Sequence, residues 1–342
     1  MPAEIELTPV PYCPICGAAE RDFAFTGREH EYDNTTTLPF NFFRCRGCTA
    51  VYPDPRPAES SLSVIYPPNY YSRAAGVNAS PDALDLTSFV GRTLHKMAVN
   101  RIAGNLAPYL RLGPGHTLLD IGCGSARHLR SIQIETGCHA EGLDFEIRDE
   151  LLQKFSAAPL VLRRGDFLSY DFGNQRYDVV YAAHLIEHVA DPIAFLRKID
   201  SILKPGGVCV LETPNEDCVG ARLFGADWGG NHIPRHWFLP NPRSAEIMVK
   251  RAAPNSLVLL KVKFIPITFV IWSLHSFLVT RGFKRLADVL FPSDDRYVKT
   301  TPVNLMRHGL AHVVSRLEGL ITGKTSCMIT VIGKRNAANA TS

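Results

Sequence analysis

Leu118–Ala126 reads Leu-Leu-Asp-Ile-Gly-Cys-Gly-Ser-Ala, an apolar run that stops on an aspartate and two glycines. The pattern predicts a short strand, Thr117–Ile121, turning through Gly122 and Gly124 into a helix over Arg127–Thr136. Glycines at such a turn let a ligand approach the main chain, and the helix start supplies free N–H groups. A dinucleotide fingerprint needs a third glycine where this chain has Arg127, so that reading fails. Asp120, directly before the turn, suits a ligand carrying positive charge better than a pyrophosphate.

The same alternation continues outward. Ala140–Leu143 predicts a strand ending on Asp144, and Leu160–Arg163 a third with Asp166 just beyond it. Tyr177–Tyr181 reads as a buried strand. Asp191-Pro192 opens a helix whose inner face carries Ile193, Leu196, Ile199 and Ile202. Lys204-Pro205-Gly206-Gly207 ends that helix before a strand at Val208–Leu211. Phe89–Leu110 and Pro242–Lys250 have helical spacing, Leu257–Phe264 and Ser326–Ile332 are strand-like, and about sixty residues of helical character separate these last two strands. Strands alternating with helices predict a parallel sheet covered on both faces.

These residues resemble the class I methyltransferase superfamily, which uses S-adenosylmethionine. Asp120-Ile-Gly122-Cys-Gly124 is similar to its first motif, Asp144 to the acidic residue that holds the ribose hydroxyls, Asp166-Phe167 to the adenine-binding pair, and Lys204–Gly207 to the turn before the fifth strand. The resemblance runs from about residue 89 to 335. It implies an α/β fold: a seven-stranded Rossmann-like sheet with the final strand antiparallel and a helical insert (about 266–320) before it. It also implies a donor site of Asp120, Gly122, Gly124, Asp144, Phe145, Asp166, Phe167 and His184.

Upstream, Cys13-Pro-Ile-Cys16 and Cys45-Arg-Gly-Cys48 are two knuckles 28 residues apart. Four thiolates on two tight turns predict a tetrahedral structural zinc site, in a zinc-ribbon-like module over residues 1–57. A redox pair or an iron–sulfur cluster are the alternatives. A hairpin of Asp22–Thr26 with Phe40–Phe43 would fill the gap between knuckles. The other cysteines (123, 138, 209, 218 and 327) read as ordinary core residues. An odd total of nine, four of them paired this way, and an N-terminus without a basic start or apolar core predict a reducing, cytoplasmic setting.

Residues 58–88 form a tyrosine-rich linker or lid, with Tyr66, Tyr70 and Tyr71 over the active site. Some methyltransferases of sugars, bacterial polysaccharides and secondary metabolites look like this combination of module, tyrosine stretch and nucleotide domain. After the fourth strand, His184-Leu-Ile-Glu187-His188 resembles the Glu-His-Val segment of ubiquinone-type O-methyltransferases. In some of those an acidic residue three positions earlier completes a divalent-metal site; His184 departs from that pattern and weighs against it. A second cluster, Trp228-Gly-Gly-Asn231-His232-Ile-Pro-Arg235-His236-Trp237, should overhang the same end of the sheet. Catalytic expectations therefore fall on His188, His232, His236 and Glu187, with a histidine as base for an acceptor hydroxyl.

The expected acceptor is a small molecule, a sugar or secondary-metabolite hydroxyl. A net charge of +4 without a Lys/Arg cluster does not argue for nucleic acid. An RNA methyltransferase with a zinc module, and a non-catalytic assembly protein that has kept the fold, are the rival readings. Phe264–Thr280 is mostly apolar but falls short of the ~20 residues of a spanning helix. It predicts a buried or interfacial helix, with peripheral membrane contact open. Oligomeric state is not legible.

Overall fold

In the computed structural model, the described residues are 5–70, 92, 93, 96, 99, 104–292 and 301–336. Residues 71–88 of the linker with Tyr71, half of the expected helix at 89–110, and 293–300 of the insert lie outside them.

The N-terminal module holds β1 (Leu7–Thr8), β2 (Arg21–Gly27), β3 (Phe40–Cys45), β4 (Val51–Pro53) and β5 (Arg56–Pro57), followed by the short helix α1 (Leu62–Ile65). β2, β3 and β4 make an antiparallel sheet, so the hairpin between the knuckles forms as expected. β1 pairs with β5.

The main sheet contains β6 (Thr117–Ile121), β7 (His139–Asp144), β8 (Ser156–Ala157), β9 (Leu160–Arg164), β10 (Tyr177–Ala183), β11 (Leu203–Pro214), β12 (Leu257–Ile265) and β13 (Cys327–Lys334). Its order is β12-β13-β11-β10-β6-β7-β9-β8. Seven of these are the expected strands, with β13 antiparallel to both neighbours. The eighth, β8, is a two-residue addition that doubles back on the edge strand β9.

Lys204–Gly207 differs from the simple turn expected. Helix α4 (Pro192–Ile202) ends before it, and β11 already pairs at Leu203 with Tyr177, then again at Val208 with Val179. The proline and glycines form a bulge inside the strand, tied down by Lys204 Nζ donating to Asp178 Oδ2 at 2.7 Å. A bulge at an edge-free position re-aims the strand without ending it.

Strand alternation divides the core in two. Leu118, Val179, Tyr181 and Val210 point to one face, where α2 (Arg127–Thr136) contributes Leu129 and Ile132 and α3 (Asp149–Lys154) contributes Leu151. Leu119, Ile121, Val180 and Leu211 point to the other, under α4 and α6 (Pro242–Ala252). α4 starts as predicted: Asp191 accepts from the N–H groups of Ile193 and Ala194, a cap worth about 1 kcal/mol. Cys13, Ile15, Cys45, Cys48 and Tyr52 belong to that second core. The cysteine module is therefore a wall of the main domain's interior, not a separate bead.

After β11 come α5 (Val219–Phe224) and the loop to Leu239, which pairs with Val51 of β4. Beyond β12 lie α7 (Phe269–Thr280), α8 (Lys284–Leu290) and α9 (Pro302–Thr322). α7 is an internal helix: Phe269, Ile271, Ser273, His275 and Ser276 are buried. Its apolar character reflects packing on both sides, so the stretch 264–280 is not where the protein exposes apolar surface. No described helix is long and apolar enough to cross a membrane.

Candidate active site and cysteine cluster

The glycine turn is built as its residues dictate. Gly122 and Gly124 take φ of +75° and +53°, values that favour glycine. Gly122 N–H donates to Leu143 O at 2.7 Å, and Gly124 N–H donates to Asp144 Oδ2 at 2.8 Å. The turn after β6 is thus fastened to the end of β7. A methyl group on Gly124 would meet nothing within 4 Å, whereas one on Gly122 would lie 3.2 Å from Leu185 Cδ2. The first glycine makes room for the segment after β10; the second faces open space.

Burial pushes the Asp120 carboxyl well up, and the nearby Asp144 charge adds to it. Burial also raises Asp144, opposed by the N–H groups of Glu146 and Gly124. Two crowded carboxyls with no basic partner among the described residues make a site that favours a cation. Phe145 is 69% exposed beside them. Asp166 Oδ2 accepts from Ser169 N–H at 2.9 Å. Phe167, its expected companion, instead buries its ring against Phe195, with centroids 4.8 Å apart.

Parallel pairing of Ala182 with Ile121 sets the residues after β10 beside the glycine turn. His184, at φ +49°, directs Nδ1 to Glu187 Oε1 (3.3 Å) and Nε2 to Glu212 Oε1 (3.2 Å). It bridges two buried carboxylates. Glu187 is fully buried, and its Oε2 has no hydrogen-bond partner among the described residues.

His188, His232 and His236 do come together, as the sequence suggested. The rings of His188 and His236 are 4.6 Å apart and those of His232 and His236 5.1 Å. His236 Nδ1 lies 2.8 Å from Gly230 O, and His188 Nδ1 lies 3.1 Å from Arg235 O and 2.7 Å from Tyr66 Oη. A carbonyl only accepts, so both Nδ1 atoms carry the proton and both Nε2 atoms keep a lone pair. Burial holds all three imidazoles neutral: His188 falls to about 4, and His232 and His236 are pushed well down. Glu187, His188 and His236 bring one ligand atom each within 4.8 Å of one another, a donor set able to hold a divalent cation.

Sequence reasoning missed the supports of this cluster, which come from the N-terminal module. Glu31 Oε2 lies 2.9 Å from His232 Nδ1, whose Nε2 is 2.9 Å from Tyr70 Oη. Burial lifts the Glu31 carboxyl to about 7. Arg235, fully buried, pairs with Glu29, donates to Ile65 O at 2.7 Å and lies 4.6 Å over the Tyr32 ring. The signal available was Gly27-Arg-Glu29-His-Glu31-Tyr32, an acidic run between the two knuckles.

The cysteine knuckles are near-copies. Gly17 N–H donates to Cys13 O and Thr49 N–H to Cys45 O, while Cys13 N–H donates to Ala18 O and Cys45 N–H to Ala50 O. Gly17 and Thr49 both take left-handed backbone, φ 78° and 64°. The Cys13–Cys48 and Cys16–Cys45 sulfurs are 3.5 and 3.3 Å apart, and all four lie within 4.8 Å of one another. These spacings exceed the ~2.05 Å of a disulfide and approach the about 3.8 Å edge of a tetrahedral zinc–thiolate site. The hydrogen bond from Cys48 draws the Cys13 thiol down.

Residues 93–252 match the family model described as Methyltransferase domain. The ubiquinone biosynthesis O-methyltransferase of Cereibacter sphaeroides (strain ATCC 17029 / ATH 2.4.9) is 32% identical over 127 residues, 35% of this chain and 51% of that protein. The sterol 24-C-methyltransferase of Schizosaccharomyces pombe is 32% identical over 109 residues, 30% of this chain and 29% of that one. The chain spans about half the length of the first curated relatives it matches. Among solved structures, the Haemonchus contortus phosphoethanolamine N-methyltransferase 2 complex with S-adenosyl-L-methionine has a TM-score of 0.47 at 16% identity, covering 92% of this chain and 68% of that one. With the ordered motifs on their expected strand ends, the strand order and this family match, residues 93–252 carry a methyltransferase domain.

Proposed function

We propose that this protein transfers the methyl group of S-adenosylmethionine to a hydroxyl of a small molecule, of the sugar or secondary-metabolite class. The observation that carries it is that Glu187 and His188, directly after β10 and beside the glycine turn, meet His236 from the loop after β11. The bound donor supplies an electrophilic methyl group on a sulfonium, which leaves by in-line displacement with the bonding electrons going to sulfur. Asp144 accepts from the ribose hydroxyls, Asp120 and the turn carry the cationic end, and Asp166 and Phe145 flank the adenine. Nε2 of His188 or His236 takes the hydroxyl proton, and Glu187 stabilises the imidazolium that results. Tyr66 and Tyr70 orient the imidazoles.

The four cysteines hold zinc as a structural ion, since four thiolates leave no open position for chemistry. If a divalent ion binds the active site, Glu187, His188 and His236 are its ligands, and it would polarise the acceptor oxygen.

Calorimetry with S-adenosylmethionine tests the donor, and mass spectrometry of a panel of sugar and phenolic hydroxyls tests the acceptor. Absence of heat and of thermal shift would overturn the reading. Methylation of RNA in place of every small hydroxyl would overturn the acceptor class.

A further inference from the structure

Helix α9 is built inside out. The residues it buries against the protein are Asn304, Ala311 and Ser315. Its outer side carries Val303, Met306, Leu310, Val313, Leu317 and Leu320, spaced three and four apart, all exposed. Leu310 and Met306 are 67% and 68% exposed, and Leu320 is 82%. At 21 residues the helix is about 31 Å long, so this is a long apolar stripe rather than a scattered leucine or two. The neighbouring helix adds to it. Arg307 Nη2 donates to Val289 O at 2.8 Å, fastening α9 to α8, where Leu286, Val289 and Leu290 are also exposed. A monomer surrounded by water has no use for so much contiguous apolar surface.

The charges around the stripe are mostly positive: Arg281 faces Asp227 and Lys284 faces Asp33, each at 3.2 Å, while Arg285 and Arg316 have no ion-pair partner among the described residues. Arg281, Lys284, Arg285 and Arg316 are exposed. Among the described residues of 269–292 and 301–324 the acids are Asp288 and Glu318, and neither is fully exposed. Glu318 accepts from Val219 N–H at 2.7 Å, and Asp288 faces Lys284 at 3.7 Å. An isologous contact with a second copy would lay the excess cations Arg285 and Arg316 against their own kind. A bilayer with anionic headgroups complements this face: acyl chains receive the leucines while phosphates meet the arginines and lysines.

We propose that α8 and α9 form a docking surface for an anionic lipid bilayer, on which the protein lies without spanning it. The surface is mechanically joined to the histidine site. α7, on which both helices pack, holds the acceptor loop through Ser273 Oγ, which accepts from Gly229 N–H at 2.8 Å.

The test is flotation of the full chain with vesicles of phosphatidylcholine alone or mixed with phosphatidylglycerol, without donor or acceptor. Its failure is therefore separable from failure of the methyl-transfer reading. The expected result is binding that rises with phosphatidylglycerol and falls with salt. L310S/L317S should lower partitioning more than about tenfold, by the transfer energy of two leucines, with the melting temperature unchanged. R285E/R316E should remove the dependence on phosphatidylglycerol. No flotation at any composition would overturn the proposal. So would a melting temperature that drops in L310S/L317S, which means the chain itself covers the face. A wild-type dimer that L310S/L317S makes monomeric would assign the stripe to a second copy and overturn it equally.

Discussion

Replacing Arg235 with methionine should destabilise the protein by about 3–5 kcal/mol, the usual cost of stranding one member of a buried ion pair. The structure says why the upper range is expected. Both partners are out of water, Arg235 at 0% and Glu29 at 2% side-chain exposure. Glu29 also accepts from the N–H groups of Glu31 and Tyr32, so its carboxylate cannot swing out to solvent without breaking the turn. Methionine keeps most of the aliphatic stem but loses the donors to Ile65 O and Ile233 O as well. Urea unfolding followed by circular dichroism gives the value, with the slope checked against wild type so that a change in compactness is not mistaken for stability. The double variant Glu29→Gln/Arg235→Met should recover part of the loss, because it removes the stranded charge. A single-variant cost below about 1 kcal/mol, or a double variant no better than the single, would refute the reading of Arg235 as the tie between the N-terminal module and the Trp228–Trp237 loop.

Asp144→Asn should weaken S-adenosylmethionine binding by about two orders of magnitude, from two ribose hydrogen bonds to a charged acceptor at about 1.5 kcal/mol or more each; an unchanged dissociation constant in calorimetry would count against the donor site. Cys13→Ser should drop the zinc content of the purified protein, measured by plasma mass spectrometry, together with its melting temperature; full stability without metal would remove the structural role. Acid should loosen the histidine cluster. His188 is held near 4 when folded but titrates near 6.5 when unfolded, so the unfolded chain binds more protons between these values and stability falls as pH drops through that window. The contribution is up to about 3 kcal/mol, reduced because part of the ring remains reachable by water. His232 and His236 act in the same direction. Glu31 opposes them, since a carboxyl raised to about 7 loses its stabilising contribution as pH rises towards that value. Urea midpoints at pH 4.5 and 6.5 should converge in His188→Gln relative to wild type; an unchanged gap would argue against the shift.

Much of the nucleotide half was legible because it is local. A strand that ends on Asp120 and glycines, a strand that ends on Asp144 and a capped helix at Asp191 each declare themselves within ten residues. The histidines of the two loops could be placed at the same sheet edge for the same reason. What the sequence concealed is nonlocal. Glu29 and Arg235 are 206 residues apart, and Tyr66 and His188 are 122 apart; no periodicity links them. The ring of Phe167, expected at the ligand, is drawn into the core by Phe172 and Phe195. Apolar run length is likewise a poor guide to exposure. The densest run, around Phe264–Thr280, turns inward, whereas the exposed apolar surface belongs to α9, where polar residues interrupt every turn.

The shared interior of the cysteine module and the sheet has a kinetic consequence. Both knuckles are complete once residue 48 has been synthesised, yet the side chains that bury them include Leu196, Phe238 and Met248. The module must wait, with Ile15 and Tyr52 exposed, for chain made much later. Such long sequence separations slow folding and lengthen the life of sticky intermediates. Early metal capture would be the means of keeping the waiting segment in order, so the supply of metal during synthesis should govern the yield of native protein more than it governs the stability of protein already folded.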